Sequence, residues 1–294
     1  MNGRAGSVLT NTDPGLRRAW HPVARIADVG PDPIAVRLLG DEWFVARQAE
    51  GLVALAAQRG APRPRPAALV EHLGLVWLAP EEPQTPLLEA PELTDPRFLA
   101  GDLPVIRARV GAGLMIDNFL DVAHFPFVHA ATIGTEDAEE VGDLAITRCG
   151  LGFTIRSEQL FPNHEDPAVA AGERHLLQHR IATYEYRAPF SITLRLDYVE
   201  AGGTNVITFF VQPEDDDHCR LYTTVARDDL DGDEGRLAEA LAFEQLVLAE
   251  DLAIQERFTQ RSLPLDLTTE VHVKADRMTV ELRRVLAELV STSG

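Results

Sequence analysis

Residues 116–130, IDNFLDVAHFPFVHA, constrain this chain more than any other stretch. Inside an apolar segment stand polar side chains that can serve a metal, among them Asn118, Asp121, His124 and His129. The first three are spaced by three residues, so a helix would place them on one face. His129 follows His124 by five residues, the wrong interval for a regular helix, and Pro126 lies between. Proline supplies no N–H and crowds the carbonyl four residues back, so the segment is predicted to be a helix kinked there. An extra residue taken up as a π-bulge would make a spacing of five act like four and let both imidazoles face one point. Two histidines with one carboxylate from elsewhere make the facial triad of non-haem Fe(II) sites, which leaves positions open for substrate or oxygen. A buried helix carrying two core histidines is the plainer alternative; it would account for a lone histidine better than for this constellation.

The same twelve residues, NFLDVAHFPFVH, resemble the mononuclear-iron motif of Rieske-type ring-hydroxylating oxygenase α subunits, nearest the monooxygenase branch that demethylates or hydroxylates small aromatic substrates. The resemblance implies an α+β fold: a helix-grip (START-like) catalytic domain, an antiparallel sheet closed on long helices, preceded by a small all-β domain. It implies His124 and His129 as iron ligands. Asp121 would be a hydrogen-bonding bridge between histidines, with Asn118 near the metal. In the family Asp121 carries electrons from a neighbouring subunit's Rieske centre; without that centre it would remain as an acceptor orienting His124.

The first sixteen residues read as a loose tail. From residue 17 to about 80, short β-rich runs are broken by Gly40-Asp41 and Glu50-Gly51, which suits a small antiparallel meander. Trp20-His21-Pro22 resembles the opening of the family's Rieske domain, and HLGLVWLAP at 72–80 its last strand. Between them the family has Cys-Pro-His-Arg-Gly-Ala-Pro. Here the stretch reads AAQRGAP, with Ala56 in place of the cysteine and Gln58 in place of the histidine. The second Cys-x-x-His pair is missing. A Rieske [2Fe–2S] centre needs two cysteines and two histidines. The chain has two cysteines in all, Cys149 and Cys219, and neither is in this region. The expectation is a clusterless Rieske-like remnant, and no disulfide framework either.

Residues 81–97 are rich in Pro and Glu and read as an extended linker, with the catalytic domain from 98 to 294. Alternating and β-branched runs over 144–162 and 173–227 predict consecutive antiparallel strands, and 233–260 and 274–291 predict long helices. The resemblance implies that the 233–260 helix supplies the carboxylate. Asp251 has Val247, Leu248, Ile254 and Phe258 as helical neighbours, while Glu250 has Leu246, Val247, Ala253 and Ile254, so periodicity does not separate them. The resemblance does: the family's ligand is the aspartate of an acidic pair, which is Asp251 here.

By the same resemblance Phe153, Tyr184, Phe190 and Phe209 are candidates for the substrate-pocket wall, with ordinary core as the alternative. His175 and His179 could share one side of a strand but have no carboxylate to complete a set.

Charge narrows the partners. The net charge is −19, with acidic clusters at 214–217 and 228–234, so nucleic acid and anionic membranes would be repelled. No apolar run approaches the ~20 residues that span a bilayer. The N-terminus shows no apolar signal region, so a cytoplasmic location is expected by default. The expected cofactor is one mononuclear Fe(II) without a [2Fe–2S] cluster, and the expected partner is a small, largely apolar or aromatic molecule. The family's head-to-tail trimer is possible but loses its rationale when no cluster must reach a neighbour's iron. Three functions fit: an oxidative enzyme whose electrons come from its substrate or a separate reductase, a redox-neutral cyclase, isomerase or lyase re-using the pocket, or a non-catalytic partner of a complete α subunit. Two converging histidines argue against the last.

Overall fold

The computed structural model describes residues 8–57, 64–129, 132–133, 144–164 and 166–291. Gln58 lies outside them. A short strand, β1 (Val8–Leu9), is followed by β2 (His21–Arg25), β3 (Ile34–Leu38), β4 (Asp41–Gln48), β5 (Gly51–Ala56), β6 (Ala68–His72) and β7 (Leu75–Ala79). They build two three-stranded antiparallel sheets, β3-β4-β5 and β2-β7-β6. The β3–β4 hairpin turns on Leu39 and Gly40, both at positive φ (53° and 82°), as the two-residue hairpin turn requires. Ala56 ends β5 and is buried in the core.

The second half opens with β8 (Leu99–Asp102), β9 (Ile106–Ala108), α1 (Ala112–Leu120) and α2 (Phe125–Val128). Then come β10 (Ala145–Arg148), β11 (Gly152–Pro162), α3 (Pro167–Ala170), β12 (Leu177–Arg187), β13 (Ser191–Tyr198), β14 (Thr204–Pro213) and β15 (Cys219–Arg227). The chain closes with α4 (Glu234–Gln255), β16 (Leu263–Pro264) and α5 (Arg277–Ser291). Strands β10 to β15 pair in sequence order, and β15 also pairs with β8 and β9, giving one eight-stranded antiparallel sheet. The expected α+β helix-grip architecture is the one observed. Among the described residues no helix is long and apolar enough to cross a membrane.

Register decides what the sheet offers the helices. Tyr184, Leu194, Ile207 and Val225 stand side by side across β12 to β15, and Ala182, Leu196, Asn205 and Arg227 form the next row on the same face. Helix α1 lies against β14, and α4 against β8 and β15. α4 is built from strong helix formers and starts where the Asp233 carboxylate accepts the N–H groups of Gly235 and Arg236. α5 buries Met278, Leu282, Val285, Leu286 and Leu289. It is tied to α1 by Arg283, which donates to Asp117 on α1. Gly111 lets α1 start in contact with the 261–263 segment: a Cβ there would meet the Arg261 carbonyl oxygen at 1.9 Å.

Two expectations meet a different picture. From Val8 onward the N-terminal tail is not loose: β1 pairs with β16, and Leu9 and Leu16 are buried. Their apolar side chains find the core, which a polar tail would not. Residues 81–97 are packed rather than free: Leu88 and Ala90 are 2% exposed, and the Glu81 and Gln84 N–H groups donate to the Arg17 and Arg18 carbonyls. One apolar core runs from Val45 and Val76 in the N-terminal sheets to Ile207 and Leu286.

Candidate active site

The central motif does not form a single kinked helix. α1 stops at Leu120, and a separate short helix starts at Phe125 with Pro126 in its first turn. The break falls at 121–124, before the proline. Asp121 makes it: its N–H bonds back to the Asp117 and Asn118 carbonyls, and its carboxylate accepts the Ala123 N–H at 2.9 Å. Pro126 is then well placed, since the first turn of a helix needs no N–H from it. The five-residue spacing is thus absorbed by a break between two helices, not by a π-bulge.

The break brings both histidines to one point. His124 Nε2 and His129 Nε2 are 3.1 Å apart, and Asp251 Oδ1, from near the C-terminal end of α4, is 3.3 Å from the first and 3.1 Å from the second. Three ligand atoms bound at about 2.1 Å would stand about 3.0 Å apart at octahedral angles and about 3.4 Å apart at tetrahedral ones. The observed edges fall between these limits, and two imidazoles with one carboxylate are a donor set suited to divalent iron. His129 is buried, and His124 and Asp251 are mostly so.

Electrostatics agree with a cluster that wants one shared cation. Burial pushes the His124 imidazole down, but Asp121 and Asp251 outweigh it and hold it up at about 9. Burial raises the Asp251 carboxyl, yet hydrogen bonding from His124, His129 and Asn118 brings it down to about 2. His129 is likewise raised against its burial, by Asp251 and Glu250. Asn118 lies beside the triad, and its amide oxygen accepts from Gln255 at 2.8 Å. Asp121 Oδ2 stands 3.5 Å from His124 Nδ1, too long for a good hydrogen bond, and that nitrogen is buried without a hydrogen-bond partner among the described residues.

One residue at the site escaped the sequence reading. Glu250 accepts from His129 Nδ1 at 2.8 Å and from the Thr132 hydroxyl at 2.8 Å. Its place in an acidic pair was visible, but nothing in the spacing said which histidine nitrogen each carboxylate would meet.

Two cavities meet the triad. The first has about 830 Å³ of atom-free space, mouth included, and lies between α1, α4 and the sheet. Apolar walls come from Phe119, Leu194, Leu196, Ile207 and Val247, beside Tyr184; Arg180, Asn205, Arg227 and Glu244 add polar and charged groups. Tyr184 is therefore a pocket residue. Phe209 stacks on Phe119 with ring centroids 4.8 Å apart and lines an adjoining space that reaches Asp251. Phe153 and Phe190 line neither: both are buried core, Phe153 against Tyr186 and Phe190 near His21. Phe153 stands near the start of β11 and Phe190 in the turn between β12 and β13. The second cavity opens on the far side of His124 and Asp251, between Asp117, Asp121, Phe258 and Glu270. His179 is elsewhere, exposed and paired with Glu200.

Comparison with known proteins places this geometry. The model of the vanillate O-demethylase oxygenase C-terminal domain matches residues 108–292. A probable methylxanthine N7-demethylase from Pseudomonas sp. (strain TJI-51) is 28% identical over 280 residues, 94% of this chain and 95% of that protein. The methylxanthine N1-demethylase NdmA of Pseudomonas putida is 24% identical, spanning 96% and 92%. Among solved structures, Pseudomonas putida CBB5 NdmA with caffeine superposes with a TM-score of 0.78 at 22% identity, covering 96% of this chain and 93% of that one. Dicamba monooxygenase bound to dicamba gives 0.75 at 15% identity, covering 94% and 98%. The chain belongs to the vanillate O-demethylase oxygenase family, the Rieske-type non-haem iron oxidoreductases that its central motif resembles.

Proposed function

We propose that this chain holds one ferrous ion on His124, His129 and Asp251 and uses it for the oxidative transformation of a small, flat, largely apolar molecule, by oxygenation, oxidative cyclisation or cleavage. The observation that carries the reading is the convergence of those three donor atoms at the wall of the cavity between α1, α4 and the sheet. Iron bound there would supply oxygen chemistry at its open positions. The chain's own residues do the rest. Asn118, beside the triad and bonded to Gln255, helps keep the Asp251 carboxylate ionised. Phe119, Leu194, Leu196 and Ile207 offer a flat molecule apolar contact and exclude water. The relatives' names point to small ring compounds, caffeine among them, which suits these walls.

The proposal includes the loss of the Rieske centre. Residues 17–80 are read as a clusterless remnant, joined through 81–97 to a catalytic region spanning 98–294. Ala56 has no thiolate to offer, and the two cysteines lie elsewhere, Cys149 just after β10 and Cys219 at the start of β15. Electrons then come from the substrate itself. A second reading is favoured by the cavity on the Asp121 side. It brings His124 and Asp251 within reach of the surface, so a separate iron–sulfur protein would have a short path.

Oxygen-uptake assays on the iron-loaded single protein with candidate substrates test the reading. Uptake coupled to product without added ferredoxin and reductase supports it. Strict dependence on those proteins selects the second reading. Product formed without oxygen by metal-free protein contradicts both.

A further inference from the structure

We propose that Glu250 is the principal positioning residue of this site: it holds His129 by Nδ1, and thereby fixes which nitrogen, and which ring orientation, that histidine presents beside His124 and Asp251. The inference rests on the metal-site reading above.

An imidazole can turn over about its Cβ–Cγ bond, which exchanges Nδ1 with Cδ2 and Nε2 with Cε1. In the turned-over ring a carbon would stand where the ligand nitrogen belongs. A carboxylate oxygen against Nδ1 opposes this, because it accepts an N–H well and a C–H poorly. Glu250 Oε2 lies 2.8 Å from His129 Nδ1, and the same oxygen accepts the Thr132 hydroxyl at 2.8 Å, so the carboxylate is itself held. The Nδ1 proton is thus assigned, and Nε2 is left toward Asp251 and His124.

His124 is held differently. Among the described residues its Nδ1 has no hydrogen-bond partner, and the Asp121 oxygen stands off at 3.5 Å. The two histidines are therefore supported unequally, and most of the preorganisation falls on the Glu250–His129 contact. Because Glu250 precedes Asp251 on α4, one helix delivers both the carboxylate of the triad and the clamp on its histidine neighbour. Outer hydrogen-bond partners of metal-bound histidines are worth roughly 10–100-fold in metal affinity.

The test is an anaerobic Co(II) titration of the metal-free full-length chain, followed by visible absorption, for wild type, Glu250→Gln, Glu250→Ala and Asp121→Ala. The melting temperature of each metal-free protein is measured alongside. The proposal predicts that Glu250→Ala weakens Co(II) binding about 10–100-fold and alters the Co(II) spectrum. Glu250→Gln, which keeps an acceptor oxygen, should lose less, and Asp121→Ala should lose less than Glu250→Ala. The losses in the two Glu250 variants should occur in proteins whose metal-free melting temperatures match wild type. Co(II) affinity and spectrum unchanged in Glu250→Ala would overturn the proposal, as would losses seen only where the metal-free protein is also destabilised. A wild-type chain that takes up no Co(II) would instead overturn the metal-site reading, and the proposal with it.

Discussion

Glu250 and Asp251 are neighbours in the chain, yet they meet opposite nitrogens of one imidazole: Glu250 Oε2 is 2.8 Å from His129 Nδ1, and Asp251 Oδ1 is 3.1 Å from His129 Nε2. Successive helical residues point about 100° apart. Two adjacent carboxylates can therefore embrace a ring that rises between them, and His129 is placed there by the short helix after the Asp121 break.

Metal affinity should depend on pH, with a sign fixed by His124. Its imidazole carries a proton up to about 9, and that proton must leave before the nitrogen can bind an ion. Apparent affinity should rise with pH, roughly tenfold per unit for one displaced proton, and level off above about 9. Asp251, held at about 2, is ionised throughout and adds no slope at neutral pH. Binding titrations from pH 6 to 10, with proton release followed in weak buffer, check this. Affinity independent of pH below 9 would show that His124 is not a ligand.

The purified protein should contain no acid-labile sulfide and show no visible bands of a [2Fe–2S] cluster, even after anaerobic reconstitution with iron and sulfide. Two cysteines in the whole chain, Cys149 just after β10 and Cys219 at the start of β15, leave the N-terminal sheets without a thiolate ligand. Two sulfides per chain would refute the loss of the cluster.

Two apolar side chains should separate folding from recognition. Phe190→Ala empties a buried core position outside the cavity between α1, α4 and the sheet and should cost about 3–5 kcal/mol of stability while leaving substrate preference unchanged. Leu194→Phe narrows the cavity itself and should raise KM for the larger of two substrates selectively, at a smaller cost in stability. Denaturant unfolding and a two-substrate kinetic comparison check both. Reversed effects would place the pocket elsewhere.

The strand and helix order of the second half was legible because its elements are long and strongly periodic: 233–260 reads as one helix, and α4 spans Glu234–Gln255. The histidine pair was legible from its spacing, but the backbone between the two was not. A helix end there depends on where the Asp121 carboxylate and N–H find partners, and spacing does not record that. Phe153 and Phe190 misled for another reason. Alternation tells which face a strand residue joins, whereas its place over the cavity or over the core depends on which helix covers that part of the sheet. Glu250 was visible as an acidic neighbour, and its role emerges only once His129 stands beside it.

The most direct test of the central claim is anaerobic equilibrium dialysis against Fe(II), with iron and protein quantified for wild type, His124→Ala, His129→Ala and Asp251→Ala. The account predicts about one iron per wild-type chain and loss of tight binding in all three variants, since two remaining side chains hold Fe(II) poorly. Variants that keep the full wild-type iron content would show that this triad is not the metal site.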